Sequence, residues 1–333
     1  MLHQMNLNAA PFEMIARGIK TIEMRLWDER RQQIKVGDEI VFTHADDATK
    51  TLCARVLAMH VFASFAELYA NLPLLKCGYT EDDIATADPA DMDIYYSQEK
   101  QAMYGAVGIE IELVTKLCIF DLDGTVLDTV GSIAHYGNLA LQKHNIEPID
   151  AKEYNHFAGD GAKNLIIRML NHRHCYTDAL FASVFKVYNE LYNADVTCKT
   201  VIFDGLKEVL DRLKSEGYRF AIVSNKPDFA AKTVANALYG EGYFDRVIGQ
   251  KEGSALKPNP GEVLAVMQEL GARGEDCVYV VDTDTDMRTG QNASLYTIGV
   301  LWGFRDREEL EKSGADIIVA TPAELYQAIT HKI

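Results

Sequence analysis

From residue 117 onward the chain repeats one pattern: a short apolar run, a turn, and an amphipathic helical stretch. Strands buried on both faces read as continuous apolar runs, and their alternation with helices is the pattern of a parallel sheet wrapped by helices. The runs are Leu117 to Phe120, Phe220 to Val223, Arg246 to Ile248, Val278 to Val281, Thr297 to Leu301 and Ile317 to Ala320. Between the first two lies a strand-poor stretch with helical spacing, as in Leu180, Phe181, Val184, Phe185, Tyr188, Leu191 and Tyr192. An all-helical insert over roughly 131–200 is therefore expected to interrupt an α/β sheet.

The first 114 residues read differently. Their apolar segments are short, as in Glu39 to His44 and Thr51 to Leu57, and Ile109, Ile111 and Leu113 alternate as a half-buried strand does. Ala10 to Gly18 and Phe62 to Leu72 have helical spacing, with Gly18 as a stop. A small, mostly β domain with two or three helices is expected here. No Gly/Ser/Pro linker separates the halves, and Leu113 to Leu117 runs nearly strand to strand. The expected boundaries are 1–114 and 116–333, the second with a core of 116–130 and 201–333.

Charge narrows the partners. Lys and Arg number 33 against 49 Asp and Glu, a formal net charge of -16, the wrong sign for nonspecific coating of a nucleic-acid backbone. The six cysteines show no CxxC spacing and two lie in apolar runs, which suits free thiols in a reducing cytoplasm. No apolar run reaches the roughly 18 to 20 residues of a membrane span, so a cytoplasmic protein without a membrane partner is expected.

Several strands of the second half end in polar residues, and in open α/β sheets ligands bind beyond the carboxyl ends of the strands. Asp121 and Asp123 stand at i and i+2, on one side of an extended chain, with Gly124 for a turn and Thr125 after it. Two like charges so close need a compensating charge. Asp282 and Asp286, from another strand end, complete an oxygen-rich set suited to Mg²⁺. Ser224 and Asn225 place a hydroxyl and an amide at a third strand end, and Lys257 adds a cation after a fourth. An acid pair, a hydroxyl, a lysine and metal carboxylates together point to phosphoryl transfer. His172-Arg-His174-Cys175 lacks the i, i+4 spacing or the partner motif of a metal site.

In order along the chain, Asp121-Leu-Asp123-Gly-Thr125, Ser224-Asn225, Lys257 and Asp282-Thr-Asp284-Thr-Asp286 resemble the four motifs of the haloacid dehalogenase (HAD) superfamily. Asp121 to Thr129, Phe157-Ala-Gly159-Asp-Gly161, Ser224 to Pro227 and Gly299 to Gly303 sharpen the likeness to phosphoglycolate-phosphatase-like members. The resemblance covers about 116–333 and implies a HAD-like Rossmannoid parallel sheet with a helical cap inserted after the first motif. It implies Asp121 as a nucleophile forming an aspartyl phosphate, and Asp123 as general acid and base. Mg²⁺ would be held by Asp121, the Asp123 carbonyl, Asp282 and Asp286, with Thr125, Ser224, Asn225 and Lys257 binding phosphate. Gly159, Asp160, Gly161, Lys163 and Arg168 would form a cap loop over the substrate, or else only a cap turn and helix surface. Val281 and Ser294 stand where relatives commonly have glycine.

In the first half, Gly18-x-Lys20-x-x-Glu23-x-Arg25, with Ile34 to Ile40 and Tyr95 to Gly105, resembles the ASCH domain, a PUA-like β-barrel associated with RNA or nucleoside ligands. Lys20, Glu23 and Arg25 would then be a ligand site, their alternative being a surface salt-bridge set. Residues 1–114 hold 10 basic and 18 acidic residues, a net of -8, so any RNA contact must be local. The expected function is a Mg²⁺-dependent phosphomonoesterase acting on a small phosphorylated metabolite. Its alternatives are a nucleotidase whose ASCH domain binds or processes a nucleoside, and an RNA- or nucleotide-binding protein with a vestigial phosphatase half; a nucleotide, nucleoside or RNA is the expected ligand of the ASCH domain.

Overall fold

The alternation through Ile109, Ile111 and Leu113 belongs to the last strand of a five-stranded sheet. A computed structural model of the chain describes all of residues 1–333, which divide into units Met1–Val114 and Thr115–Ile333. In the first unit the strands are β1 (Leu2–Leu7), β2 (Ile22–Leu26), β3 (Glu39–His44), β4 (Asp47–Phe62) and β5 (Ala106–Leu113), in the order β1-β3-β4-β5-β2. β1 runs parallel to β3 and the other pairs are antiparallel. Helix α1 (Ala9–Ala16) buries Phe12 and Ile15 against Ile40, Phe42, Val56 and Ile109, and Gly18 follows it with φ +69. Helices α2 (Phe65–Asn71), α3 (Leu74–Cys77) and α4 (Gln98–Tyr104) complete the unit, with Phe65 and Leu68 buried beside Leu26 and Met92. The edge strands β1 and β2 are joined by a side chain, Arg25 Nη2 donating to the Asn6 carbonyl at 3.0 Å.

The second unit is built on β6 (Leu117–Phe120), followed by a two-residue strand β7 (Leu127–Asp128). Four helices come next, α5 (Val130–Gln142), α6 (Tyr154–Phe157), α7 (Gly161–His172) and α8 (Asp178–Ala194), before β8 (Val201–Ile202) pairs antiparallel with β7. The helical insert thus leaves and rejoins the core through one short ribbon. Its own core closes tightly: Tyr154 is fully buried, and a Cβ on Gly137 of α5 would lie 2.7 Å from the Tyr154 ring. Thr177 caps α8, accepting from the Leu180 N–H at 3.1 Å.

The remaining elements alternate as the sequence predicts: α9 (Leu206–Ser215), β9 (Arg219–Pro227), α10 (Asp228–Tyr239), β10 (Arg246–Gln250), α11 (Gly261–Leu270) and β11 (Cys277–Val281). The chain ends with α12 (Asp284–Asn292), β12 (Tyr296–Val300), α13 (Arg307–Lys312), β13 (Ile317–Val319) and α14 (Pro322–Lys332). The six long strands are all parallel, in the order β10-β9-β6-β11-β12-β13. Cys118, Phe120, Val278 and Val280 pack on one face of this sheet, and Leu117, Ile119, Tyr279 and Val281 on the other. Burial on both faces is why these strands carry no polar alternation.

Candidate active site

The sheet order positions the chemistry. β6 lies between β9 and β11: the chain runs from β6 out through β9 to β10 on one side and then crosses back to β11 on the other, so the strand order reverses at β6 and a crevice opens at its carboxyl end. Asp121 follows β6 directly, Ser224 and Asn225 lie near the end of β9, and Asp282 follows β11. Ligand oxygens of Asp121, Asp282 and Asp286 all come within 4.8 Å of one another, and all three residues are buried.

Asp282 is fixed at both oxygens: the Thr125 hydroxyl donates to Oδ1 at 2.7 Å and the Phe304 N–H to Oδ2 at 2.8 Å. Two glycines make room for it. A Cβ on Gly124, where φ is +83, would lie 2.2 Å from Asp282 Oδ2, and one on Gly303 would lie 2.3 Å from the Asp282 Cβ. Asp286 stands in the first turn of α12, where the capping hydroxyl of Thr283 donates to Oδ2 at 2.5 Å and accepts from the Asp286 N–H at 3.3 Å. Lys257 Nζ donates to Asp121 Oδ1 at 2.7 Å and also pairs with Asp286. Asp284 points away and pairs with Arg288.

Burial dominates the electrostatics. It pushes the Asp121 carboxyl up to about 7, Lys257 pulling the other way and Asp286 and Asp123 adding to the rise. Burial likewise holds Asp282 well above the usual carboxylate range, with Asp121 and Asp286 beside it. Three buried carboxylates against one ammonium form an under-compensated anionic set, and its all-oxygen donors suit a hard divalent cation such as Mg²⁺.

The other residues singled out in the sequence divide into two groups. Ser224, Asn225, Gly159 and Gly161 line a cavity of about 60 Å³ with Asp121 and Asp123. Several side chains are committed elsewhere. The Thr125 hydroxyl, expected on phosphate, goes to Asp282. The Asn225 amide donates to the Gly159 carbonyl at 3.2 Å and accepts from the Lys257 N–H at 2.9 Å, joining the cap loop to the lysine loop. Asp160 accepts from the Thr285 hydroxyl at 2.6 Å and pairs with Arg168, while Lys163 is exposed. Arg168 also donates to the Phe157 carbonyl at 2.9 Å, so neither Lys163 nor Arg168 lines the cavity.

Two residues that sequence reasoning passed over do line it. Lys226 Nζ bonds both oxygens of Asp123, at 2.9 and 3.2 Å, and lies 4.9 Å from the centroid of the Tyr192 ring of α8. The signal was available in Ser224-Asn-Lys226: in an extended strand, i and i+2 share a side, and β9 stays extended through Pro227.

In the first unit, Lys20, Glu23 and Arg25 meet at a cavity of about 460 Å³ whose walls include Tyr69, Tyr79, Tyr95 and Tyr96. Glu23 is the hinge of the set: Arg25 Nε lies 2.8 Å from Oε1, Lys20 Nζ lies 3.3 Å from Oε2, and Lys20 also donates to the Cys77 carbonyl. Lys20 and Glu23 are buried, so this is no solvated surface pair.

Residues 118–300 match the family model of the haloacid dehalogenase-like hydrolases, and residues 5–115 match that of the ASCH domain. The phosphoglycolate phosphatase of Aquifex aeolicus is 29% identical over 223 residues, covering 66% of this chain and 98% of that protein. That of Colwellia psychrerythraea is 28% identical over 203 residues, 60% of this chain and 90% of its own. A Lactobacillus delbrueckii subsp. bulgaricus crystal structure named for the same activity superposes with a TM-score of 0.62 at 29% identity, covering 65% of this chain and 98% of its own. A predicted phosphatase from Clostridium acetobutylicum gives 0.59 at 25% identity, over 66% and 99%.

Proposed function

The chain belongs to the haloacid dehalogenase-like hydrolases and is a phosphatase, and we propose that it hydrolyses short phosphate monoesters, phosphoglycolate among them, through an aspartyl phosphate on Asp121. The observation that carries this reading is the convergence of Asp121, Asp123, Lys257, Asp282 and Asp286 at one strand-end crevice. Mg²⁺ held by Asp121, the Asp123 carbonyl, Asp282 and Asp286 would supply positive charge to the nucleophile and the phosphoryl oxygens.

Lys257 orients Asp121 by holding Oδ1. An Asp121 oxygen attacks phosphorus as the bond to the leaving oxygen breaks, and Asp123 gives that oxygen its proton. Asp123 then takes a proton from water, whose oxygen attacks the aspartyl phosphate, freeing inorganic phosphate and restoring Asp121. Ser224, Lys257 and main-chain N–H groups at the strand ends hold the phosphoryl oxygens as charge shifts. At about 60 Å³ the cavity is small, which supports a leaving group of two or three carbons over a nucleoside. In the first unit, the tyrosine walls and the Glu23 cluster support a nucleoside, nucleotide or RNA end as ligand.

A panel of phosphomonoesters assayed with Mg²⁺ tests the reading. Short esters should turn over, EDTA should abolish turnover and Mg²⁺ restore it. Asp121→Asn should lose at least a thousandfold in kcat. Full activity in chelator, or Asp121→Asn within tenfold of wild type, would refute it.

A further inference from the structure

The reaction asks Asp123 to give a proton and then to take one, and a group that does both must be held within reach of the reacting oxygens. Lys226 is the side chain that holds it. Its Nζ bonds both oxygens of Asp123, at 2.9 and 3.2 Å, and no other side chain bonds that carboxylate. The two buried lysines of the crevice thus divide the carboxylates between them: Lys257 pairs with Asp121 and Asp286, and Lys226 with Asp123 alone. A carboxylate has about four lone-pair sites. One bond at each oxygen therefore leaves sites open to the cavity that Asp123 lines.

Lys226 is confined in its turn. Its side chain is 4% exposed, and Nζ lies over the Tyr192 ring of α8, 4.9 Å from the centroid. An aromatic face attracts an ammonium at that range, the more so away from water. Tyr192, Lys226 and Asp123 therefore form a line of contacts from the helical insert to the reacting group. We propose that Lys226 is a positioning residue for proton transfer, setting the reach of Asp123 toward the leaving oxygen, with Tyr192 holding Lys226 in place. This goes beyond the phosphatase reading and rests on it. No proton passes through the lysine: Asp123 loses its proton to the leaving oxygen and regains one from water, while the ammonium keeps all of its own.

The test compares two short substrates that differ in what leaves. Phosphoglycolate releases an alkoxide, which needs a proton as its bond breaks, whereas acetyl phosphate releases acetate, which does not. Lys226→Met removes the charge at similar length. It should lower kcat/KM for phosphoglycolate about thirtyfold to a hundredfold, and for acetyl phosphate by no more than about threefold. On acetyl phosphate, kcat and KM should instead fall together, about tenfold, because attack of water on the shared aspartyl phosphate also needs Asp123. A lysine that met the phosphoryl oxygens, or that only supported the fold, would depress kcat/KM for both substrates. Tyr192→Leu should show the same split, at about threefold to tenfold for phosphoglycolate. If Lys226→Met does not fold, Lys226→Gln gives the same comparison. Equal losses of kcat/KM on the two substrates, or wild-type values on both, would overturn the positioning role and leave the phosphatase reading standing. Tyr192→Leu matching wild type on both would overturn the part given to the insert. No turnover of either substrate by wild type would refute the phosphatase reading itself.

Discussion

Asp282 has no freedom left: a hydroxyl at one oxygen, a main-chain N–H at the other, and two glycines against its side chain. Thr125 therefore acts on the metal site through Asp282. Thr125→Ala should raise the Mg²⁺ concentration for half-maximal activity about tenfold to a hundredfold, read by titrating activity against the ion. Most of this centre could be read from the sequence, because its carboxylates sit at fixed offsets from strand ends. The role of Thr125 could not, since the partner of a hydroxyl depends on a residue 157 positions away. Of the two positions where the family resemblance leads to an expectation of glycine, packing explains one. Val281 fills the core beneath β11, fully buried with Met287 and Ile119. Ser294 adopts φ +56, where a Cβ is strained, and its side chain is exposed. Ser294→Gly should relieve that strain by more than it adds unfolded-state entropy, raising stability by about 0.5–1 kcal/mol, checked by chemical denaturation.

At the level of elements, the long apolar strands of the second unit were visible because burial on both faces makes them continuous runs. The ribbon of β7 and β8 was invisible: two residues carry no periodicity, and their pairing spans the whole insert. β9 runs longer than its apolar run, through Ser224 to Pro227, which is why Lys226 escaped notice. Between insert and core, the loop before α7 is held by polar bonds. Asp160 meets Thr285, Gly159 meets Asn225, and Arg305 donates to the Asn155 and Ala158 carbonyls. Thr285→Val should loosen this loop, seen as faster amide exchange over 158–164 and a severalfold rise in KM. Acid should act similarly. Burial works against the charge of Asp160, but hydrogen bonds from Thr285 and Arg168 outweigh it and lower its pKa below the ordinary 3.8. A lowered carboxylate pKa stabilises above the unfolded value, so the latch should hold at neutral pH and fail as pH falls below 3.8 through the lower folded value.

At the scale of the whole molecule, the two units have separate sheets and separate cores. A fragment spanning Thr115–Ile333 should fold and keep its activity on short esters within about threefold of the full chain, a comparison of initial rates. A fragment that folds without activity would show that the phosphatase depends on the first unit. The acidity of the full chain, -16 overall, leaves recognition in either unit to a few placed cations rather than to a field. Lys226 and Lys257 in the second unit, and Lys20 and Arg25 in the first, are such cations, each buried or half-buried against carboxylates.

The ribbon of β7 and β8 has a further consequence for descent. The residues that make and break bonds to phosphorus stand at the ends of β6, β9 and β11 or in the loop after β10, whereas Tyr192, Asn189 and Asn193 belong to an insert that enters and leaves at one point. Heritable change can therefore rework the insert, or replace it outright, while the bond-breaking apparatus is passed on intact. A lineage built this way can acquire new diets by trading one segment, and the first traces of such a trade would be found in α8 rather than in the strands.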